Sequence, residues 1–76
     1  MRRRATLSGI LRGEGQEAEC TIAATEVSLP GSSAAALCDY SIQTVSKPLP
    51  EGRYRLDARG EIINLRFREG HWLSDA

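Results

Sequence analysis

Seventy-six residues make one domain, close to the lower size at which a single hydrophobic core supports a fold unaided. Ten basic side chains balance ten acidic ones, which argues against a general nucleic-acid coat protein, because such proteins draw their affinity from neutralising phosphates. The core-forming set is thin, with eight Leu, five Ile, two Val, one Phe, one Trp and two Tyr, so association with a partner or a second copy is a ready source of extra stability.

Charge is uneven along the chain. Arg2, Arg3, Arg4 and Arg12 give the first twelve residues +4, six acids against Lys47 give residues 13–51 a charge of −5, and the remainder is +1. The basic start precedes an apolar stretch broken by Thr6, Ser8 and Gly9, too short for a signal peptide. No later segment approaches the roughly 20 apolar residues of a membrane span. These features predict a cytoplasmic protein with no membrane association, a single β-rich domain over 1–76 with residues 1–4 as a flexible basic tail.

Strand signals dominate from the first residues. A two-residue turn at Glu14-Gly15 pairs Leu11 with Ala18, Gly9 with Cys20, Leu7 with Ile22 and Ala5 with Ala24, all apolar or small. The same register sets Arg12 against Glu17 on the opposite face. Alternation runs through Cys20, Ile22 and Ala24 and then shifts to Val27 and Leu29, which predicts a β-bulge near Ala24-Thr25. Pro30-Gly31 is a turn.

Residues 33–45 permit two readings. Cys38, Tyr40, Ile42 and Thr44 alternate as a strand does, while Ser33 before three alanines suits a helical turn with a serine N-cap. One short helical turn at 33–37 followed by a strand over 38–45 reconciles both. Residues 46–52 form a Pro-rich loop.

The last third is the most regular. Turns at Arg59-Gly60 and Glu69-Gly70 set Leu56 opposite Ile63, Tyr54 opposite Leu65 and Phe67 opposite Trp72, all on one face. Both turns have Gly second but lack Asn or Asp first, so Arg59 and Glu69, like Glu14, must tolerate a positive φ. Residues 53–74 are thus expected to be a three-stranded meander. The fold class is mainly β: a small antiparallel sheet or partly open barrel of five to six strands.

The other face of that meander is the candidate site. It sets Arg53 opposite Arg66, Arg55 opposite Asn64, Asp57 opposite Ile62, Arg68 opposite His71 and Arg66 opposite Leu73. Two guanidiniums directly across a strand pair disfavour a sheet slightly, so a fold without a use for them would gain by changing one. A solvated outer face is the plain explanation. The sharper one is a docking surface of Arg53, Arg55, Ile62, Asn64, Arg66, Arg68, His71 and Leu73, since arginine beside apolar groups is enriched at protein interfaces.

Other chemistry finds little support. Cys20 and Cys38 read as buried free thiols, able to bridge only if their strands are neighbours. With one His and no Cys-Xaa-Xaa-Cys spacing, no metal site is expected, and no cofactor motif is present. Cys38, Asp39 and His71 are the sole nucleophile, acid and base combination, and strand alternation sends Asp39 away from Cys38, so no enzymatic activity is expected. The acids from Glu14 to Glu26 read as a solvated hairpin face; Glu17, Glu19 and Glu26 could also meet a basic partner or the arginines of a second copy. The expected function is a non-enzymatic interaction module for a protein partner. By analogy of size and class this suits an inhibitor, immunity or accessory-subunit role, as phage and mobile elements often encode. The alternatives are a nucleic-acid-binding barrel using the same arginines with the N-terminal Arg2–Arg4, and a structural subunit of an oligomer, a homodimer included.

Overall fold

Three Xaa-Gly pairs set the local geometry. In the computed structural model, which describes residues 2–28, 31 and 35–75, Glu14, Arg59 and Glu69 have φ of 49°, 51° and 51°, and the glycines after them 71°, 80° and 77°. Positive φ at both central positions is the type I′ turn, whose twist matches the strands it joins. A non-glycine residue there costs about 1 kcal/mol, which the cross-strand contacts set up by each turn offset. Six strands result: β1 (Arg2–Gly13), β2 (Gln16–Ser28), β3 (Ala35–Val45), β4 (Gly52–Ala58), β5 (Glu61–Arg68) and β6 (His71–Ser74).

They form one antiparallel sheet in the order β3-β2-β1-β4-β5-β6. The sheet curls until its two edges, β3 and β6, face each other across a cleft lined by Tyr40, Ile42, Ile63 and Trp72. The product is a nearly closed, barrel-like antiparallel sheet of six strands, within the sheet or partly open barrel of five to six strands expected from the sequence, with the C-terminal meander as one wall. All three hairpins have the registers that their turns imply, from Ala5↔Ala24 to Leu11↔Ala18, Leu56↔Ile63 and Tyr54↔Leu65, and Phe67↔Trp72.

The barrel is joined where β1 meets β4, through Ile10↔Asp57, Leu11↔Leu56 and Arg12↔Arg55. Gly13 permits this approach, since a Cβ there would overlap the Arg53 carbonyl oxygen and lie 2.8 Å from Tyr54 Cδ1. Leu11, Ile22 and Leu56 are wholly buried behind this junction, with Cys20, Tyr54, Ala58 and Leu65 around them. Toward the β3–β6 seam burial is incomplete: Tyr40, Ile42, Val45, Leu49, Ile63, Phe67 and Trp72 pack on the core but stay partly exposed. Trp72 stacks on Phe67 at 4.4 Å between ring centroids and meets Tyr54 edge-on at 5.3 Å.

Three local expectations are corrected. Residues 35–37 are strand, not helical turn; the remainder of that segment, 33–34, lies outside the described residues, as do Leu29 and Pro30. Pairing of Ala36 with Val27 and Leu37 with Glu26 gives the backbone ladder partners that a lone helical turn lacks. The bulge belongs to β3 rather than β2. Central β2 runs in unbroken register against β1 through Ala5↔Ala24 and Arg4↔Thr25, whereas edge strand β3 takes up the extra residues. One is Gln43, between the pairs Thr21↔Thr44 and Ile22↔Ile42; the other lies between Ala23↔Ser41 and Thr25↔Cys38, where Asp39 has φ of 54°. Val45 therefore faces the core in place of Thr44, and Cys38 shares the face of Thr25 instead of pointing inward.

The basic start is the third correction. Arg2, Arg3 and Arg4 are not a tail but the first residues of β1, paired with Val27, Glu26 and Thr25. Arg4 Nη1 donates to Thr25 Oγ1 at 3.1 Å and to the Asp39 carbonyl at 3.2 Å, tying β1 to the bulge of β3.

Candidate binding face

Strand alternation puts the odd residues of β4, the even residues of β5 and the odd residues of β6 on the outside of the meander. Registers then assemble them in rows: Arg68 beside His71; Arg53, Arg66 and Leu73; Arg12, Arg55 and Asn64; Ile10, Asp57 and Ile62. All eight residues singled out in the sequence lie on this one face. Seven of them are exposed and Arg66 is half-buried. Ile62, at 54% exposure, and Leu73, at 50%, are the only large exposed hydrophobics among the described residues. The surface is shallow, with depressions of about 640 Å³ over Arg12, Arg55, Ile62 and Asn64 and about 350 Å³ over Arg53, Arg66 and Arg68.

Sequence alternation alone understates the electrostatics. Arg12 joins the face through the β1–β4 pairing, bonded to Glu17 Oε2 at 2.9 Å and lying 3.8 Å from Asp57 Oδ2. Asp75, beyond β6, sits between Arg53 and Arg66 at 3.7 and 3.1 Å, so the expected like-charge conflict is relieved inside the chain. Arg55 and Arg68 make no ion pair among the described residues. Asp75 was findable, because it continues the phase of His71 and Leu73. Arg12 was not, since only the non-local β1–β4 register brings it here.

The remaining polar side chains serve the fold. Glu26 pairs with Arg59 at the β4–β5 turn, so two of the three acids proposed to meet a basic surface, Glu17 and Glu26, already have partners. Ser46, just past the end of β3, pins that strand to β2: its N–H donates to the Glu19 carbonyl at 2.8 Å. Tyr40 donates its hydroxyl to Glu61 Oε2 at 2.6 Å across the mouth of the barrel, and Tyr54 donates to the Pro50 carbonyl. Burial pushes both phenols above their ordinary pKa; the carboxylate of Glu61 adds to this at Tyr40, and that of Glu14 at Tyr54.

The cysteines do not cooperate. Both are free. Cys20 pairs with Val45 and Cys38 with Thr25, five residues apart on β2. That is about 17 Å at strand spacing, well beyond the roughly 7 Å Cα limit for a disulfide. Burial pushes the Cys20 thiol up, which suits an inert core group. Cys38 Sγ lies 3.9 Å from Asp39 Oδ2, while His71 stands across the seam on β6. Among the described residues no group of three or more His, Cys, Asp or Glu side chains converges as a metal site requires. Nor, among them, is any helix long and apolar enough to cross a membrane.

No family model matches this chain, and no curated protein or solved structure proved similar to it.

Proposed function

We propose that this protein is a non-catalytic interaction module that docks a protein partner through the outer face of β4, β5 and β6. The observation that carries the reading is the coincidence on one face of both large exposed hydrophobics, Ile62 and Leu73, with Arg53, Arg55, Arg66 and Arg68. Apolar contacts ringed by arginine are the composition of protein interfaces, with the guanidiniums steering the encounter and fixing its register. Tyr54, Phe67 and Trp72 all pack inward, so this face lacks the stacking platform on which sheet proteins hold single-stranded nucleic acid. A cytoplasmic inhibitor, immunity or accessory-subunit role fits a module of this size.

Affinity capture from a host lysate, with wild-type protein and an Arg55→Glu/Arg68→Glu variant side by side, tests the reading. The expected result is a protein partner retained by the wild type and lost by the variant. Retention by both, or steeply salt-dependent capture of random DNA or RNA in place of protein, contradicts it.

A further inference from the structure

Arg53 and Arg66 stand directly opposite each other on β4 and β5. Between them lies one carboxylate. Asp75 Oδ1 accepts from Arg66 Nη2 at 3.1 Å, and its Oδ2 is 3.7 Å from Arg53 Nε, one oxygen to each guanidinium. Asp75 is itself positioned by its backbone N–H, which donates to the Asn64 carbonyl at 3.0 Å. Its side chain is 25% exposed, against 37% for Arg66 and 76% for Arg53, so the acid is the enclosed member and Arg53 is a loose arm over it. Arg55 and Arg68, one strand step to either side of this cluster, make no ion pair among the described residues.

We infer that Arg53 and Arg66 form a carboxylate receptor that Asp75 fills in the free protein, and that the partner is an acidic protein segment whose own Asp or Glu displaces it. The inference rests on the docking role proposed above. Charge complementarity selects the occupant: on the outer face of β1, β4, β5 and β6, Arg12 is held by Glu17 and Asp57, and Arg53 and Arg66 share Asp75, while Arg55 and Arg68 make no ion pair among the described residues. The guanidinium fork suits planar carboxylates, and the structure already holds one in place. Asp75 competes from high local concentration, so a single free carboxylate loses to it. A segment that also engages Arg55, Arg68, Ile62 and Leu73 does not. Asp75 thereby raises the threshold for binding and screens out weakly acidic surfaces.

The test is a low-salt NMR titration of the full isotope-labelled chain with a hexaglutamate peptide, following the arginine Nε–H signals in wild type and Asp75→Asn. The variant keeps the backbone bond to Asn64, and unchanged β5 and β6 amide shifts establish that it is folded. Asp75→Asn is expected to bind the peptide about three- to tenfold more tightly than wild type. Arg53 and Arg66 should move most, and Arg66→Gln should weaken binding in either background. Equal affinity for wild type and Asp75→Asn, or shifts that avoid Arg53 and Arg66, overturns the receptor. So does tighter binding of an oligothymidylate of matched charge, which assigns the site to phosphate. If Arg55→Glu/Arg68→Glu loses its captured partner while Asp75→Asn gains no affinity, the receptor falls and the docking role stands. A gain at Asp75→Asn with a captured partner indifferent to Arg55→Glu/Arg68→Glu removes the docking role and leaves the receptor.

Discussion

The inner and outer faces of the β4–β5–β6 meander are built from alternate residues of the same strands, yet they answer to different constraints. Inside, Tyr54, Leu56 and Leu65 are buried, and Phe67 and Trp72, stacked on each other, pack against this core. Outside, Arg53, Arg55, Arg68, Ile62 and Leu73 stay exposed, with Asp75 beside Arg53 and Arg66 and with Glu17 and Asp57 beside Arg12. Neighbouring positions share backbone, register and strand twist. A difference between substitutions on the two faces therefore reports side-chain environment alone. The inner face supplies the buried core, while the outer face presents charge and two exposed hydrophobics.

The comparison can be broken at several points. Leu56→Ala, at a wholly buried site opposite Leu11 and Ile63, should cost about 2–5 kcal/mol by urea denaturation. A loss under about 1 kcal/mol would mean that the β1–β4 junction is not where the core closes. Gly13→Val should cost about 1–3 kcal/mol, because its Cβ meets the β4 backbone and not a flexible side chain. Trp72→Ala sharpens the picture within the inner face. Although Trp is larger than Leu, its place at the half-open seam should limit the loss to about 1–2 kcal/mol, below that of Leu56→Ala.

Alkaline pH probes the barrel interior from both sides of the seam, through Tyr40 on β3 and Tyr54 on β4. Folding raises the phenol pKa of Tyr40 and Tyr54, so the unfolded chain gives up those protons first. Stability should hold through neutral pH and fall as pH rises past about 10, the ordinary tyrosine value. Urea midpoints at pH 8 and pH 11 check the direction. Tyr40→Phe should fall less over that interval than wild type.

Much of this arrangement was legible in the sequence, for a physical reason. Each Xaa-Gly turn fixes a local register, and a period-2 pattern tolerates no slip, so Leu11↔Ala18, Tyr54↔Leu65 and Arg68↔His71 follow from neighbours in the chain. What local pattern does not encode is the pairing of distant strands. The β1–β4 contact that brings Arg12 to the arginine-rich outer face, and the reason for Gly13, appear only once the barrel closes. The irregularity expected near Ala24-Thr25 is at that level of the sheet, but its extra residue belongs to β3, because a broken phase in β2 does not say which partner holds it; the bulge at Gln43 has no such signal. Arg2–Arg4 looked like a tail on charge alone, yet they pair with β2, and Arg4 also reaches the Asp39 bulge.

The decisive experiment pairs the urea midpoint with the lysate capture of Arg55→Glu/Arg68→Glu, taken on the same preparation. If this face docks a protein and is dispensable to the core, the variant keeps a stability within about 0.5 kcal/mol of wild type and loses the captured protein completely. A variant that unfolds markedly more easily, or one that stays folded and keeps its partner, would contradict that role.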